Sequence, residues 1–173
     1  MKDIKKIVLI FLIFLELVYI SVAENKTIDK IDFAGVEYSQ AYENSDAKVN
    51  VVEFLPKGED LNSFKSMVSY WEQKTITVDK MDGYLSYLAQ NTKEPILSTT
   101  IAATKDEKKN EYYLEKLITS GNITEYAMYR FMVKNGHLTY YVFSERIYKK
   151  PSTEWFESLE KQRVERFKAI NEL

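Results

Sequence analysis

The sequence predicts an α+β fold in which an antiparallel sheet of about six strands is covered by helices. Three features of the chain predict it. Short runs rich in β-branched and aromatic residues are separated by turn residues, which is typical of strands. Other segments repeat apolar residues at helical spacing. Four of the strand-like runs follow one another directly in the second half, which favours a meander with helices packed on it.

Two strands are predicted in the first half of the chain. Residues 31–42 mix apolar and polar side chains around Gly35, and we interpret them as one strand with a turn. Residues 48–55 are rich in β-branched side chains and predict the second strand. The Pro56-Lys57-Gly58 sequence that follows ends this strand, because proline and glycine favour turns.

One helix and a possible second one are predicted next. Residues 60–73 repeat apolar side chains at intervals of three and four, and Asp60 precedes them as a candidate N-cap. Residues 80–90 form another amphipathic pattern behind Asp79, although Gly83 lowers the helix propensity. The apolar faces are Leu61, Phe64, Val68 and Trp71 in the first helix and Met81, Tyr84, Leu85 and Leu88 in the second.

The second half predicts four consecutive strands and a terminal helix. Asn135-Gly136 is the strongest hairpin signal, because both residues tolerate the positive φ of a type I′ turn. Pro151-Ser152 ends the sheet and caps the helix, and Glu154 suits the positive end of its dipole. The strands cover residues 96–104, 111–118, 124–134 and 137–148, and the apolar face of the helix is Phe156, Leu159, Phe167 and Ile170.

Residues 1–23 predict an export signal. A lysine-rich start precedes an apolar run over residues 7–20, which is too short to span a bilayer as a helix. Small residues precede the predicted cleavage between Ala23 and Glu24. Glu16 interrupts the apolar run, so an uncleaved anchor and a buried core helix are the alternatives. Cleavage predicts a periplasmic or secreted protein, one domain over residues 24–173, without a stable membrane anchor.

Charge and cysteine content exclude several function classes. The signal carries three basic and two acidic side chains, so its removal takes the net charge from −2 to −3. This balance provides no basic surface for nucleic acid. The chain has no cysteine, which excludes disulfides, thiolate metal sites and a thiol nucleophile.

One stretch resembles a known class of proteins. Residues 51–67 run VVEFLPKGEDLNSFKSM, in which a strand ends in a Pro/Gly turn and leads into the predicted first helix. This stretch and the order of elements are similar to small exported bacterial proteins with a PsbP/Mog1-like α-β-α sandwich. The resemblance implies a sandwich fold and a binding or accessory role more often than an enzyme. It transfers no functional residue.

No motif in the chain predicts a catalytic residue, a metal ligand or a cofactor. The single histidine, His137, follows the Asn135-Gly136 turn, where we expect an exposed surface residue. Ser158 and Lys161 match an S-x-x-K pattern but lie inside the predicted terminal helix and lack its partner motifs. Paired carboxylates remain open as a hypothesis, because any two acids can meet in a fold.

A row of aromatic and methionine side chains is the best candidate for a binding surface. Residues 124–134 alternate along the strand, so one set packs inward and the other faces outward. The alternate residues that include Ala127 and Phe131 form the better core face. Tyr126 and Met128, with Tyr140 on the returning strand, are then predicted to form an exposed strip, with cover by a helix layer as the alternative.

The sequence therefore predicts an exported domain that acts by binding. The leading hypothesis is a non-enzymatic accessory protein of the bacterial envelope, whose unknown partner is another envelope protein or a small ligand. The alternatives are a hydrolase using carboxylates and tyrosines, and an inhibitor or immunity-like protein against an exported toxin.

Overall fold

A computed structural model describes residues 29–92 and 96–173. Strand-forming residues dominate this part of the chain. Its elements are β1 (Lys30–Phe33), β2 (Val36–Ser45), β3 (Val49–Pro56), β4 (Ser66–Thr77), α1 (Val78–Ala89), β5 (Ile96–Asp106), β6 (Glu111–Ser120), β7 (Ile123–Lys134), β8 (His137–Ile147) and α2 (Thr153–Glu172).

All eight of these strands form one antiparallel sheet with the order β1-β2-β3-β4-β8-β7-β6-β5. The strands β1 to β4 form one meander and β5 to β8 form another. The two meanders join where β4 pairs with β8, for example at Val68 and Phe143. The connection through α1 therefore carries the chain from the middle of the sheet to its outer edge, and leaves β1 and β5 as the two edge strands.

The sheet differs from the predicted one, which had about six strands covered by helices. One extra strand comes from residues 31–42, which form two strands because the chain turns back at Ala34 and Gly35, with φ values of 52° and 77°. The other comes from residues 60–73, where the predicted helix is wrong. The loop after β3 and the start of β4 occupy these residues.

The failed helix has a clear physical reason. Asp60 does not cap a helix; its carboxylate accepts the backbone N–H of Asn62 at 2.8 Å and so closes a turn. The β4 strand that follows has side chains in contact with the core on both faces of the sheet. A strand buried on both faces lacks the polar–apolar alternation of a half-exposed strand. Its apolar residues therefore matched a helical spacing by chance.

The remaining predicted elements are confirmed, with shifts of a few residues at their ends. The Asn135-Gly136 turn has φ values of 54° and 79°, as a type I′ hairpin requires. Ser152 caps α2, since its side chain accepts the backbone N–H of Trp155. The predicted apolar face of α2 is only partly correct, because Leu159 and Ile170 are buried while Phe156 and Phe167 are exposed.

The two helices cover opposite faces of the sheet. The rings of Phe33 on β1 and Phe143 on β8 stack with centroids 4.6 Å apart, although three strands separate β1 from β8 in the sheet order. The sheet therefore curls around the α2 face. The buried core on this face is Phe33, Tyr38, Phe54, Val68, Tyr126, Met128, Phe143, Leu159, Ala169 and Ile170. The buried core on the α1 face is Met81, Leu114, Ala127, Phe131, Leu138, Tyr140 and Val142.

The predicted export signal and its cleavage position at Ala23 and Glu24 lie outside the described residues. In the described ranges, neither helix is long and apolar enough to cross a membrane. The architecture of one eight-stranded sheet with a helix on each face gives no support to the PsbP/Mog1-like resemblance.

Candidate functional site

The three residues predicted to form an exposed strip are all buried. Tyr126 is 4% exposed, Met128 1% and Tyr140 6%. They also lie on different faces, since Tyr126 and Met128 pack beneath α2 and Tyr140 packs beneath α1. The prediction of exposure is therefore wrong. A helix covers each face of the sheet, so neither of the two alternating sets of side chains on a central strand is free to form an exposed strip.

The tyrosine hydroxyls in the core are satisfied internally. Tyr126 donates to the Glu115 carboxylate at 2.6 Å, and Tyr140 accepts from Gln73 at 3.1 Å. Burial raises the pKa of Tyr126, and the adjacent Glu115 carboxylate raises it further. Burial likewise raises the pKa of Tyr140. Both hydroxyls stay protonated at neutral pH and act as structural donors or acceptors.

Four carboxylates on the sheet are each paired with an arginine. For Glu111, hydrogen bonds from Arg130 hold the pKa below its usual value. For Glu115, burial raises the pKa, but hydrogen bonds from Arg163 and Tyr126 outweigh burial and lower it overall. Carboxylates held ionised in this way are poor general acids at neutral pH. The pairs are Glu111–Arg130, Glu115–Arg163, Glu125–Arg146 and Glu145–Arg166.

The other candidate residues of the sequence do not come together. His137 is half-buried at the start of β8, and Ser158 accepts a hydrogen bond from Gln162 on α2. Within residues 29–92 and 96–173, no group of three His, Cys, Asp or Glu side chains is placed to hold a metal ion.

Within the described residues, the outer side of the edge strand β5 is open to a ligand. Its first part is occupied, because the Thr92 N–H donates to the Ser98 carbonyl at 3.0 Å and the Thr100 N–H donates to Asn91 at 2.8 Å. A bulge follows between Thr100 and Ala102. From Ile101 to Asp106, no described residue pairs with the outer side of the strand.

The backbone groups that face outward on this segment follow from strand geometry. All residues on one face of a strand turn their N–H and C=O groups to the same side. Ser98 and Thr100 turn theirs outward, as their bonds to Thr92 and Asn91 show. Beyond the bulge, Ala103 and Lys105 share this face, since they pair with Leu114 and Tyr112. They therefore present unpaired backbone groups at the edge.

A groove flanks this edge on the α1 face. It has a volume of about 250 Å³ and lies between α1 and the strands β5 and β6. The small side chain of Ala103 leaves the groove open at the edge. The Lys105 ammonium pairs with Glu107 at 2.8 Å and lies over the Tyr112 ring. The rest of the lining includes Leu85, Ala89, Leu114 and Phe131, so this groove is apolar.

A second groove flanks the same strand on the α2 face, with a volume of about 500 Å³. Ile101, Phe156 and Leu159 supply its apolar lining. Arg163 reaches across it and binds Glu115, with Nη2 and Oε1 2.7 Å apart. Two further carboxylates, those of Glu157 and Glu160, lie on its rim. Tyr126, which the sequence proposed for binding, lines the floor of this groove.

A third cleft lies at the end of β4 and β8, with a volume of about 490 Å³. Several of its polar groups are engaged with one another or with the backbone. Trp155 Nε1 donates to Glu145 at 2.8 Å, and the Tyr148 hydroxyl donates to the Phe64 carbonyl at 3.1 Å. The β5 edge differs because its backbone groups have no such partners in the described part of the chain.

Comparison with protein families places the chain in context. A family model matches residues 26–173. The chain belongs to that family, which is uncharacterised. Comparison with curated proteins gives no match. The family thus covers every strand and both helices of the fold, and the function must be argued from the β5 edge and its grooves.

The residues of this site could not be identified from the sequence. A strand is predicted at residues 96–104, but its place at the edge does not follow from the sequence, because strand order depends on long-range pairing. The one local signal is the small pair Ala102 and Ala103 within a β-branched run. Small side chains in a strand leave space beside the sheet.

Proposed function

We propose that the chain is an exported, non-enzymatic accessory protein of the bacterial envelope that binds an extended segment of another envelope protein. The binding site is the outer side of β5 from Ile101 to Asp106. An added strand would bond to the open backbone groups of Ala103 and Lys105. Its alternate side chains would enter the two grooves, which is the usual mode of recognition by strand addition.

The observation that carries this proposal is the unpaired edge with a groove on each face. Edge strands of natural proteins are ordinarily shortened, covered or charged, because an open edge recruits other strands. The opposite edge follows that rule, since β1 has four residues and Phe33 is buried. The open part of β5 begins at a bulge and carries Lys105, but it is longer than β1 and exposes Ile101, which is 52% accessible.

The hydrolase hypothesis has less support. Four carboxylates of the sheet are engaged by arginines, and the buried hydroxyls of Tyr126 and Tyr140 bond within the core. Burial raises the pKa of Glu53 on β3, which makes no ion pair with a described residue, but no second carboxylate among the described residues is paired with it. An inhibitor or immunity-like protein would use the same kind of edge binding. A partner identified at β5 would separate that role from other accessory roles.

Site-specific photo-crosslinking tests the proposal in the cells that export the protein. A benzoylphenylalanine at position 101, on β5, is compared with one at position 36, on β2 next to the opposite edge; Ile101 and Val36 have similar exposure, 52% and 45%. We expect one discrete protein adduct from position 101 and none from position 36. The adduct should map to an extended segment of an exported protein.

Proline variants provide the matched control. Ala103→Pro removes an outward N–H without removing a bond of the sheet, as proline is tolerated on edge strands. Lys30→Pro makes the same change on β1. The backbone N–H and C=O groups of Ile31 and Phe33 face the partner strand β2, so those of Lys30 face outward. Ala103→Pro should abolish the adduct and Lys30→Pro should leave it. An equal adduct in both variants, or equal adducts from positions 101 and 36, would contradict the proposal.

A further inference from the structure

We infer that the segment bound at β5 alternates apolar side chains with basic ones, the apolar side chains entering the α1-side groove and the basic side chains the α2-side groove. This inference rests on the proposed function, since it concerns the same edge. It follows from the different chemistry of the two grooves.

The α1-side groove selects an apolar side chain. Its lining is aliphatic and aromatic, with Leu85, Leu114 and Phe131 among the contacts. The lysine in its lining, Lys105, is already engaged by Glu107 and by the Tyr112 ring. A charged side chain placed here would lose water without gaining a partner, which is unfavourable.

The α2-side groove carries an excess of negative charge. Three carboxylates line it against one cation, and that cation, Arg163, is paired with Glu115. Glu157 and Glu160 are exposed and make no ion pair with any described residue. A lysine or arginine side chain suits this groove, because its stem can lie on Ile101 and Phe156 while its charged end reaches the rim.

The same charges argue against a second copy of this chain as the occupant. Antiparallel pairing of two β5 strands about a two-fold axis would place both α2-side grooves on one face of the joined sheet. The Glu157 and Glu160 carboxylates of the two copies would then line the same surface, and like charges in close proximity oppose association. A basic segment of a different protein has the opposite effect.

The length of the bound segment is also set by the structure. The open part of β5 runs from Ile101 to Asp106, which is about 20 Å at the usual rise of a strand. A partner strand of about six residues therefore matches it, with about three side chains directed to each groove.

Three blocked octapeptides test the inference: acetyl-(Val-Lys)4-amide, acetyl-(Val-Gln)4-amide and acetyl-(Val-Glu)4-amide. Each is titrated into the isotope-labelled protein recovered after export, and the amide signals of residues 101–106 are followed by NMR. Exposed ion pairs are individually weak, so we expect the lysine peptide to bind about tenfold more tightly than the glutamate peptide. The preference should shrink at high salt.

Two variants separate the inference from the proposed function. In Glu157→Lys/Glu160→Lys the order of the peptides should reverse, whereas Glu165→Lys/Glu172→Lys, on exposed positions of α2 outside the groove, should leave it unchanged. Ala103→Pro should weaken all three peptides. If the peptides bind equally at β5, the partner chemistry is wrong and strand addition stands.

The remaining outcomes would overturn both the inferred partner chemistry and the proposed strand addition at β5. One is the absence of any signal change at residues 101–106 at millimolar peptide. Another is slow amide exchange at Ala103 and Lys105 in the free protein, which would mean that the edge is already paired. Dependence of that protection on protein concentration would identify a second copy as the occupant, and independence would identify a segment of the same chain.

Discussion

The two faces of the sheet are buried by different means. The α1 face is held by apolar and aromatic contacts, and its nearby cation, Lys116, serves only to bind the carbonyls at the end of α1. The α2 face combines an apolar core with ion pairs that link sheet and helix. Here Arg163 and Arg166 of α2 bind Glu115 and Glu145. The α1 face gains its stability mainly from apolar burial, and the α2 face also fixes the position of its helix by ion pairs.

This difference has a consequence for stability. Burying an ion pair costs desolvation energy, so a pair adds little net stability when intact but costs several kcal/mol when one partner is removed. Apolar contacts lose stability in proportion to the volume removed. Substitutions on the α1 face should therefore act through cavities, and substitutions on the α2 face through unpaired charge.

The largest expected effect is a cavity on the α1 face. Phe131 is fully buried, and its ring packs 5.1 Å from that of Tyr140. Phe131→Ala should lower the free energy of unfolding by about 3–5 kcal/mol, measured by urea denaturation. Phe156→Ala on α2 is the matched control, because that ring is 43% exposed. A loss below about 1 kcal/mol for Phe131→Ala would contradict the cavity argument.

The next effect is an unpaired charge on the α2 face. Arg166→Met leaves the Glu145 carboxylate without its cation and should cost about 3 kcal/mol. The double variant Arg166→Met/Glu145→Gln should recover most of this loss, because glutamine still accepts the bond from Trp155 Nε1. Thermal and urea unfolding measure both. A double variant as unstable as the single one would mean that packing, rather than charge, sets the cost.

Features that depend on neighbouring residues could be predicted from the sequence, and features that depend on packing of distant elements could not. The Asn135-Gly136 hairpin depends on the φ preferences of two adjacent residues, and Ser152 as cap depends on one side chain. Such local rules gave correct elements. The predicted exposure of Tyr126, Met128 and Tyr140 depends instead on whether a helix covers the second face of the sheet. That cover comes from residues far away in the chain.

The candidate site could not be predicted for the same reason. The sequence of residues 96–104 predicts a strand, which the structure confirms, but the place of this strand at the edge depends on the pairing of β4 with β8. The ion pairs of the α2 face are equally non-local, since Glu115 and Arg163 lie 48 residues apart. The sequence shows how many charged side chains there are, but only the fold determines which of them form ion pairs.

A change in pH should act mainly on the α2 face. The pKa values of Glu111 and Glu115 lie below the usual value of 4.5. Their contribution to stability is therefore complete above that value and is lost as the pH falls through the lowered pKa values. We expect a loss on the order of 1–2 kcal/mol between pH 6 and pH 3.

The acid sensitivity has its own control. Glu115→Gln/Arg163→Met removes one titrating pair while the glutamine can still accept the Tyr126 hydroxyl, so the free energy of unfolding should fall less steeply with acid than in the wild type. Urea denaturation at several pH values measures the slope. An unchanged slope would show that other carboxylates, such as the exposed Asp46 with its two backbone hydrogen bonds, dominate the acid response.

The smallest expected effect concerns the cation of the α1 face. Lys116 Nζ donates to the carbonyls of Leu88 and Gln90, at 2.5 and 3.0 Å, and so satisfies the end of α1. Burial lowers the pKa of this lysine. Lys116→Met keeps the apolar stem but removes the donor, and should cost about 1 kcal/mol, the usual value of a cation at a helix C-terminus. Because the lysine is charged throughout the acid range, this loss should be the same at pH 4 and pH 7. Amide exchange should locate it in the last turn of α1, and a loss confined to α2 would contradict the separation of the two faces.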